Sequence, residues 1–373
     1  MEAGSANYLI HVGSHAVQCN RYKRFPTSSI NQNMPNRATL KDIAHETGFS
    51  IMTVSQVLNG KENHASEKNR QLIRDVASRL NYLPNLNAQR LVTSKNNIIG
   101  LLIDYKPPSF HQEVMIHLEE LTVSSGQRLQ IGMSHDDFKS LSGYIDDFRG
   151  NGISSVICLG HSYPAFGFKI PPLLEPFDRV VFLEKPSAVS RFPYVAVDHF
   201  QNFYELTAAM LRKGFRRIVS IRANYQDSAF CEARNGMAKA YEDARLPFEE
   251  DFWCVAPTDG NLSQEDAAIN LRMGLLQKPD VLILSNDISV LRTQRLLSQQ
   301  GIRVPNDIAL FSASQSNLAE ISSPTISGID YNAQRLADTL FKTLLKENEA
   351  SNFEGFNQLI PSILNWRESC PLQ

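Results

Sequence analysis

Residues 50–59 carry hydroxyl, amide and apolar side chains with no charged group among them. Ser50 is a good helix N-cap, because its hydroxyl can accept from a backbone N–H of the first turn. Val54, Val57 and Leu58 have helical spacing and predict one buried stripe. The other faces then carry the kinds of group that contact base edges in the major groove of DNA. The candidate contacts from this stretch are Ser50, Ile51, Met52, Thr53, Ser55, Gln56 and Asn59.

A second predicted helix, residues 40–47, precedes this stretch. Thr39 is its predicted N-cap, and Asp42 holds the position from which a capping-box side chain reaches back. Gly48 permits the left-handed backbone that ends a helix. Two helices joined by a short turn with glycine form the helix-turn-helix arrangement, although a purely structural helical hairpin has the same pattern. Thr39 and Leu40 join the candidate DNA contacts.

A third helix is predicted at residues 67–80, and the motifs around it identify a family. The sequence resembles the LacI family of bacterial transcription regulators over about residues 37–367. The motifs that carry this resemblance are Thr39-Leu40-Lys41-Asp42-Ile43-Ala44, Thr53-Val54-Ser55, Val57-Leu58-Asn59-Gly60 and Asn81-Tyr82-Leu83-Pro84-Asn85. The resemblance implies a homodimer on a pseudo-palindromic operator.

The resemblance also implies a hinge helix that enters the minor groove, and it adds His64, Asn85, Ala88 and Leu91 to the candidate DNA contacts. Leu91 is the candidate wedge between two base pairs, although a linker leucine can also simply pack. The reading helix departs from the family at Gln56, where relatives usually have arginine. Glutamine pairs best with adenine, so the operator is predicted to differ at the matching base pair.

Composition sets limits on the class of protein. A chain of 373 residues predicts two or three domains. Residues 34–95 carry nine Lys and Arg against five Asp and Glu, although the net charge is -2. This distribution suits a small domain that meets phosphates, but a solvated basic helix face has the same composition. Five scattered cysteines without a Cys-x-x-Cys motif favour a reducing cytoplasm over a disulfide framework or zinc site.

From residue 97 onward, apolar runs alternate with helical patterns, beginning with residues 98–103 and ending with residues 308–311. Such alternation predicts parallel sheets covered on both faces, and two sets of strands predict two subdomains. The family resemblance implies that the chain crosses between subdomains near Lys213, near residues 312–327 and again close to the C-terminus.

The predicted fold is an N-terminal all-α helix-turn-helix headpiece and an α/β core. The core is of the type I periplasmic-binding-protein-like kind, with two doubly wound parallel-sheet subdomains. Four segments are predicted: a disordered tail at 1–36 (with Met34 as an alternative start), the headpiece at 37–84, a hinge helix and linker at 85–96, and an effector-binding and dimerisation domain at 97–367.

The resemblance places the effector in the cleft between the subdomains, at the C-terminal ends of strands. The matching residues are Phe110, His111, Asp198, Arg234, Asn286, Asp287 and Ser314. For Asp198 and Asp287, strand-end or helix-capping duty is the alternative reading. Ser314 stands where the family usually has an aspartate, so a charge-assisted hydrogen bond is lost. A typical sugar pocket is therefore not expected.

No phosphate-binding loop, dinucleotide fingerprint or nucleophile elbow occurs in the sequence. His199 follows Asp198, but neighbours in a strand point to opposite faces, so no dyad is predicted. We predict a cytoplasmic DNA-binding repressor, associated with the nucleoid when bound, and no enzyme, cofactor or metal site. Its predicted partners are operator DNA, a small-molecule effector and a second copy of the chain. The alternatives are an α/β enzyme with an accessory DNA-binding domain and a regulator that has lost effector control.

Overall fold

The computed structural model describes residues 38–60, 65–82, 97–104, 109–134, 138–160, 170–186, 192–222, 228–255, 275, 277–346 and 357–372. Contacts divide the chain into two compact units, with the boundary between Ser94 and Lys95. The predicted tail, the predicted hinge helix and nearly all of a helix predicted at residues 264–276 lie outside the described residues.

The described residues of the first unit form three short helices. They are α1 (Leu40–Thr47), α2 (Ile51–Leu58) and α3 (Glu67–Arg79), so the three predicted headpiece helices are confirmed. Their apolar faces meet in one small core, formed by Ile43, Ala44, Val54, Val57, Ile73, Val76 and Ala77. Gly48 ends α1 with a φ of 74°, and its N–H donates to the carbonyl of Ala44. This left-handed residue allows α2 to begin within a few residues in a new direction.

The second unit contains two six-stranded sheets. The strands of the first sheet are β1 (Ile98–Asp104), β2 (Arg128–Ser134), β3 (Ser155–Leu159), β4 (Arg179–Leu183), β5 (Tyr194–Val197) and β11 (Gln358–Ile360). Their order is β11-β5-β4-β3-β1-β2, and every pairing is parallel. β1, β3, β4 and β5 consist almost entirely of buried residues. This is the pattern of strands covered on both faces.

The second sheet has the order β12-β10-β9-β8-β6-β7. Its strands are β6 (Ile218–Arg222), β7 (Trp253–Val255), β8 (Val281–Leu284), β9 (Ala309–Ser312), β10 (Ser327–Asp330) and β12 (Ile363–Asn365). Only the edge strand β12 runs antiparallel to its neighbour. Two mostly parallel sheets within one unit confirm the predicted α/β core.

Helices connect and cover the strands. They are α4 (Ser109–Ser124), α5 (Phe138–Gly150), α6 (Ile170–Leu174), α7 (His199–Lys213), α8 (Ser228–Asp243), α9 (Asp287–Gln299), α10 (Leu318–Ile321) and α11 (Ala333–Leu345). A 3-10 turn, Glu250–Phe252, precedes β7. Along the described residues, no helix combines the length and the apolar character that a membrane crossing requires.

The chain passes between the sheets three times. The first passage follows β5 and α7, and the chain enters β6 after Lys213, as predicted. The second passage was predicted at residues 312–327, and this is wrong by a few residues. β10 pairs with β9 and β12 in the second sheet, whereas the next helix, α11, packs on strands of the first sheet. The crossing therefore lies at Tyr331 and Asn332. The third passage is the short link between β11 and β12, close to the C-terminus as predicted.

Candidate DNA interface and ligand cleft

Helix α2 is fixed at its start by Ser50. The Ser50 hydroxyl oxygen accepts from the backbone N–H of Thr53 at 3.0 Å, and the hydroxyls of the two residues lie 2.8 Å apart. Serine at an N-cap satisfies one of the N–H groups that have no partner within the helix. Because these contacts engage both hydroxyls, Ser50 and Thr53 stabilise the N-terminus of α2.

The outward face of α2 is apolar at its start and polar further on. Met52 is 70% exposed and Ile51 is 45% exposed. Ser55 and Gln56 are half-buried and Asn59 is exposed, with the Asn59 amide donating to the Ser55 hydroxyl at 3.3 Å. Two large exposed apolar side chains on an eight-residue helix without charges are unusual on a solvated surface. They form a short surface that suits contact with base methyl groups and base edges.

Helix α1 has its own polar end. The carboxylate of Asp42 accepts from the backbone N–H of Thr39 at 2.7 Å and from its hydroxyl at 2.8 Å. These two hydrogen bonds lower the pKa of Asp42 below its ordinary value. Leu40 packs partly buried against the small core. Arg79 of α3 lies 2.7 Å from Glu46 of α1 and joins the ends of these two helices.

The other candidate DNA contacts, His64, Asn85, Ala88 and Leu91, lie outside the described residues. The wedge role of Leu91 therefore stays a prediction.

In the second unit, two predicted effector residues cap helices. An Asp198 oxygen accepts from the backbone N–H of Gln201 at 2.9 Å and thereby caps α7. Asn286 caps α9 in the same way, since its oxygen accepts from the N–H of Ser289 at 2.9 Å and from its hydroxyl at 3.0 Å. Asp198 directly follows β5 and Asn286 is the second residue after β8, so both lie just beyond a strand, as predicted. Their capping contacts match the alternative reading for Asp198.

Asp287 also has a structural partner. It is 1% exposed, and its carboxylate accepts from the backbone N–H of Ser316 at 2.5 Å and from the Ser316 hydroxyl at 2.9 Å. Burial raises the pKa of Asp287, while the polar groups of Ser312 and Ser316 oppose the shift. The contact holds the start of α9 against the loop after β9. Ser314 lies buried in this loop, and its carbonyl accepts from the Ser312 hydroxyl at 2.8 Å.

Aromatic rings join the two halves of the core at the crossing residue Tyr331. Phe110 and His111 begin α4 on the first sheet, are 4% and 0% exposed, and have ring centroids 4.2 Å apart. The Tyr331 ring meets Phe110 edge-on at 5.0 Å and His199 edge-on at 5.8 Å. The Tyr331 hydroxyl donates to the Ala313 carbonyl at 2.6 Å, and burial raises its pKa to about 12.

The Arg234 side chain points away from the predicted ligand edge. Its guanidinium donates to both oxygens of Glu250, at 2.5 and 2.7 Å, and lies 5.7 Å from the ring centre of Phe248. Glu250 stands before β7, so this pair is at the opposite end of the strand from the predicted ligand edge. Gly236 in the same motif is a packing residue: a Cβ there would lie 2.1 Å from the carbonyl oxygen of Phe200 on α7.

Glu184 and His199 form a pair at the ligand edge that was not predicted from the sequence. Glu184 follows β4, and its carboxylate lies 3.2 Å from Nε2 of His199. The side chains of Glu184 and His199 are 15% and 6% exposed. The expectation that Asp198 and His199 are neighbours in a strand is wrong, because β5 ends at Val197 and His199 is the first residue of α7. A helix start aims His199 toward the end of β4.

Arg222 was also missed. It ends β6, and its guanidinium carbon lies 5.4 Å from the ring centre of Phe203 on α7. Its Nη1 is buried and has no hydrogen-bond partner among the described residues. The same is true of Oε1 of Glu184. At the ligand edge, Nη1 of Arg222, Oε1 of Glu184 and Oδ1 of Asp287 are therefore buried charged-group atoms without a hydrogen-bond partner among the described residues.

Two family models match the chain. The model of bacterial regulatory proteins of the lacI family matches residues 39–85, and a periplasmic binding protein-like domain matches residues 207–370. The first match covers the three-helix unit, and the second covers most of the two-sheet unit.

Known proteins resemble most of the chain, across both units. The HTH-type transcriptional repressor PurR of Yersinia pestis (strain Pestoides F) is 25% identical over 313 residues, which are 83% of this chain and 89% of PurR. A lac repressor dimer crystallised with operator and an anti-inducer has a TM-score of 0.74 at 19% identity, over 90% of this chain and 99% of that one. A regulator CelR in complex with cellobiose has a TM-score of 0.61 at 20% identity, over 89% and 100%. These structures share the fold described above.

Proposed function

Because this chain belongs to the lacI family of bacterial regulatory proteins, we propose that it is a sequence-specific transcriptional repressor. In this proposal α2 reads an operator, and the two-sheet unit binds a small effector that changes operator affinity. The observation that carries the proposal is the uncharged, outward face of α2 with Met52 and Ile51 exposed. A repressor of this kind acts on DNA in the cytoplasm.

Recognition of the operator's base sequence involves two kinds of contact. Gln56 supports recognition of adenine, because its side-chain carbonyl can accept from the N6 amino group while its NH2 donates to N7. Met52 and Ile51 support apolar contact with thymine methyl groups. The candidate contacts Thr39 and Leu40 at the start of α1 support positioning on the phosphate backbone, since helix N-termini favour anions.

A homodimer is part of the proposal. β2 is an edge strand of the first sheet, and its outward residues Ile131 and Met133 are 42% and 38% exposed. Ile116 and Val123, which lie two turns apart on the neighbouring α4, are 54% and 43% exposed. Exposed apolar side chains on adjacent elements mark surfaces that other chains cover. Two-fold pairing through this surface would place two headpieces on the half-sites of a pseudo-palindrome.

The proposed switch links the cleft to the hinge. The hinge helix proposed within residues 85–96 is short, and a short helix is marginal alone, so we expect it to form only with support from a second hinge and from DNA. A ligand that changes the angle between the two sheets then shifts this equilibrium. A second candidate is a repressor without effector control, and it is favoured by the structural hydrogen bonds of Asp198, Asn286 and Asp287.

Selection of binding sites from a random DNA library tests the function. The purified full-length protein is used at a stated salt concentration, because phosphate contacts make affinity salt-dependent. We expect enrichment of one pseudo-palindrome. The test variant is Met52→Lys, which places a charge on the proposed DNA-reading face of α2. It should abolish enrichment of the site while non-specific DNA binding remains. Enrichment of the same site by this variant, or of no site by the native chain, would refute the proposal.

A further inference from the structure

One face of α7 brings two opposite charges from the two sheets close together. His199 and Phe203 are four residues apart and therefore lie on the same side of the helix. Glu184 of the first sheet lies against His199, and Arg222 of the second sheet lies over Phe203. Glu184 follows β4 and Arg222 ends β6, so both lie along this face of α7 at the edge formed by the carboxyl ends of the strands.

Each member of this pair keeps an unused polar atom. Nη1 of Arg222 and Oε1 of Glu184 are buried, and neither has a hydrogen-bond partner among the described residues. Within the same residues, no ion pair joins Arg222 to a carboxylate. Buried atoms of charged groups are costly unless they are paired. Glu184 also has a φ of 70°, in the left-handed region that a glutamate adopts only under constraint. Such outliers concentrate at ligand sites.

We propose that the effector is a small carboxylic acid that also carries a hydroxyl or an amino group. Its carboxylate accepts from Arg222, and its hydroxyl or amino group donates to Oε1 of Glu184. The planar guanidinium matches a carboxylate in shape as well as in charge. The remaining Glu184 oxygen only accepts, so the ligand must supply the donor. This inference rests on the proposed function and gives the chemical class of its effector.

The arrangement also explains discrimination. A neutral sugar offers hydroxyls to Arg222 but no charge of opposite sign, so the buried Nη1 gains a neutral hydrogen bond in place of a charge-assisted one. Charge-assisted hydrogen bonds are roughly twice as strong as neutral ones. Phe203 beneath the guanidinium, with Phe110 and Tyr331 beside the crossing, supplies apolar wall but no opposite charge. The acid is therefore preferred over its neutral counterpart of the same shape.

Calorimetric titration of the full-length protein with matched pairs of ligands tests this class. The hydroxy-acid arm pairs galacturonate with galactose and gluconate with glucitol, so that each acid and its neutral partner share a ring or an open-chain form. The amino-acid arm pairs the common amino acids with their amides. We expect at least one acid to bind, with its neutral partner weaker by about ten-fold or more, which is about 1.4 kcal/mol. Equal binding of both partners, or no acid bound at millimolar concentration, would overturn the inference.

Variants then locate the contact. Arg222→Gln should abolish the preference for the acid over its neutral partner. Glu184→Gln should lower the affinities for the acid and for its neutral partner by the same factor. The control is Arg149→Gln, whose side chain is 55% exposed on α5, and it should leave both affinities unchanged. Thermal unfolding confirms that each variant is folded. A preference that survives Arg222→Gln overturns the assignment. If the native chain selects a specific operator but binds no acid, only this inference fails, whereas absence of operator selection refutes the proposed function itself.

Discussion

Arg234 donates hydrogen bonds to both carboxylate oxygens of Glu250, at 2.5 and 2.7 Å, beside the ring of Phe248. Glu250 is largely exposed, and it precedes β7 rather than following it. The guanidinium is thus engaged at the end of the sheet that lies away from Glu184 and Arg222. The family resemblance made Arg234 a candidate effector contact, and this geometry favours Arg222 for that role.

Arg234→Gln should leave the effector response intact. The pair is a partly exposed ion pair, so its loss should cost less than about 1 kcal/mol of unfolding free energy. The measurement is operator affinity with and without the ligand identified by titration, for Arg234→Gln and Arg222→Gln in parallel. Loss of the response in the Arg234 variant, with thermal unfolding unchanged, would return Arg234 to the ligand site.

The pH dependence of stability should reveal the buried Asp287. Because burial raises its pKa above the ordinary value, folding favours the protonated carboxyl. The stabilising contribution is then complete below the ordinary pKa and is lost as pH rises through the raised one. Asp287→Asn has no charge to bury and can still accept from Ser316. The difference between the Tm of this variant and the Tm of the native chain should therefore grow in favour of the variant from pH 4 to pH 7.

Asp307→Asn is the control of opposite sign. Arg303 lowers the pKa of Asp307 to about 2, so that contribution is complete above the ordinary pKa and is lost as pH falls through the lowered one. The Asp307 variant should be less stable than the native chain at neutral pH, and the difference should shrink below about pH 4. A Tm difference between Asp287→Asn and the native chain that does not change with pH would contradict the prediction that burial raises the pKa of Asp287.

A lysine in the exposed apolar surface of β2 should weaken the proposed dimer. Ile131→Lys should raise the dimer dissociation constant by about ten-fold or more, because charged residues are disfavoured in the core of an interface. Sedimentation velocity over a range of concentrations measures this. The matched control is Leu359→Lys on β11, the other edge of the same sheet, where the exposed fraction is 56%. Equal effects of both variants would mean that β2 is not the dimer surface.

Leu91→Ala tests the hinge. A leucine that inserts between base pairs stabilises only the kinked, specific complex, so the variant should lose about ten-fold in operator affinity. Its affinity for random DNA should hardly change, since that binding depends on phosphates. Filter binding or fluorescence anisotropy at one salt concentration gives both values. An equal loss on both kinds of DNA would assign Leu91 to ordinary packing.

The headpiece could be predicted because its determinants are local. Ser50 and Gly48 fix the ends of helices through contacts within a few residues, and the spacing of Val54 and Val57 defines the buried side. The β/α alternation up to residue 311 was equally local, since buried parallel strands are short apolar runs.

The later elements were not predicted, although part of the pattern was present. Leu336, Leu340 and Leu344 repeat every fourth residue and are buried in α11, whose N-cap is Asn332. What the pattern does not contain is the sheet on which this helix packs. The position of the second crossing depends on the pairing of β10 with β9 and β12, which is a long-range contact.

At the ligand edge, too, some features follow from local sequence and others depend on long-range contacts. Asp198 and Asn286 were predicted because the family resemblance matched them to effector residues that follow apolar strands, and the ends of such strands form the edge at which α/β sheets bind ligands. The same rule, applied consistently, would have found Glu184 after β4 and Arg222 at the end of β6. Sequence alone did not reveal which oxygens cap helices and which remain available. That distinction depends on His199 reaching Glu184 across fifteen residues of chain, and on Ser316 reaching Asp287.

The reading of bases by α2 is the central claim, and Gln56→Arg tests it most directly. Site selection with the native chain and the variant, under identical salt, should return the same pseudo-palindrome with one symmetric pair of positions changed. At those positions the native chain should prefer adenine, and the variant should prefer guanine by about 1–3 kcal/mol, the range for a good bidentate contact. An unchanged base preference at every position, with affinity retained, would show that Gln56 does not face the bases and would contradict the account.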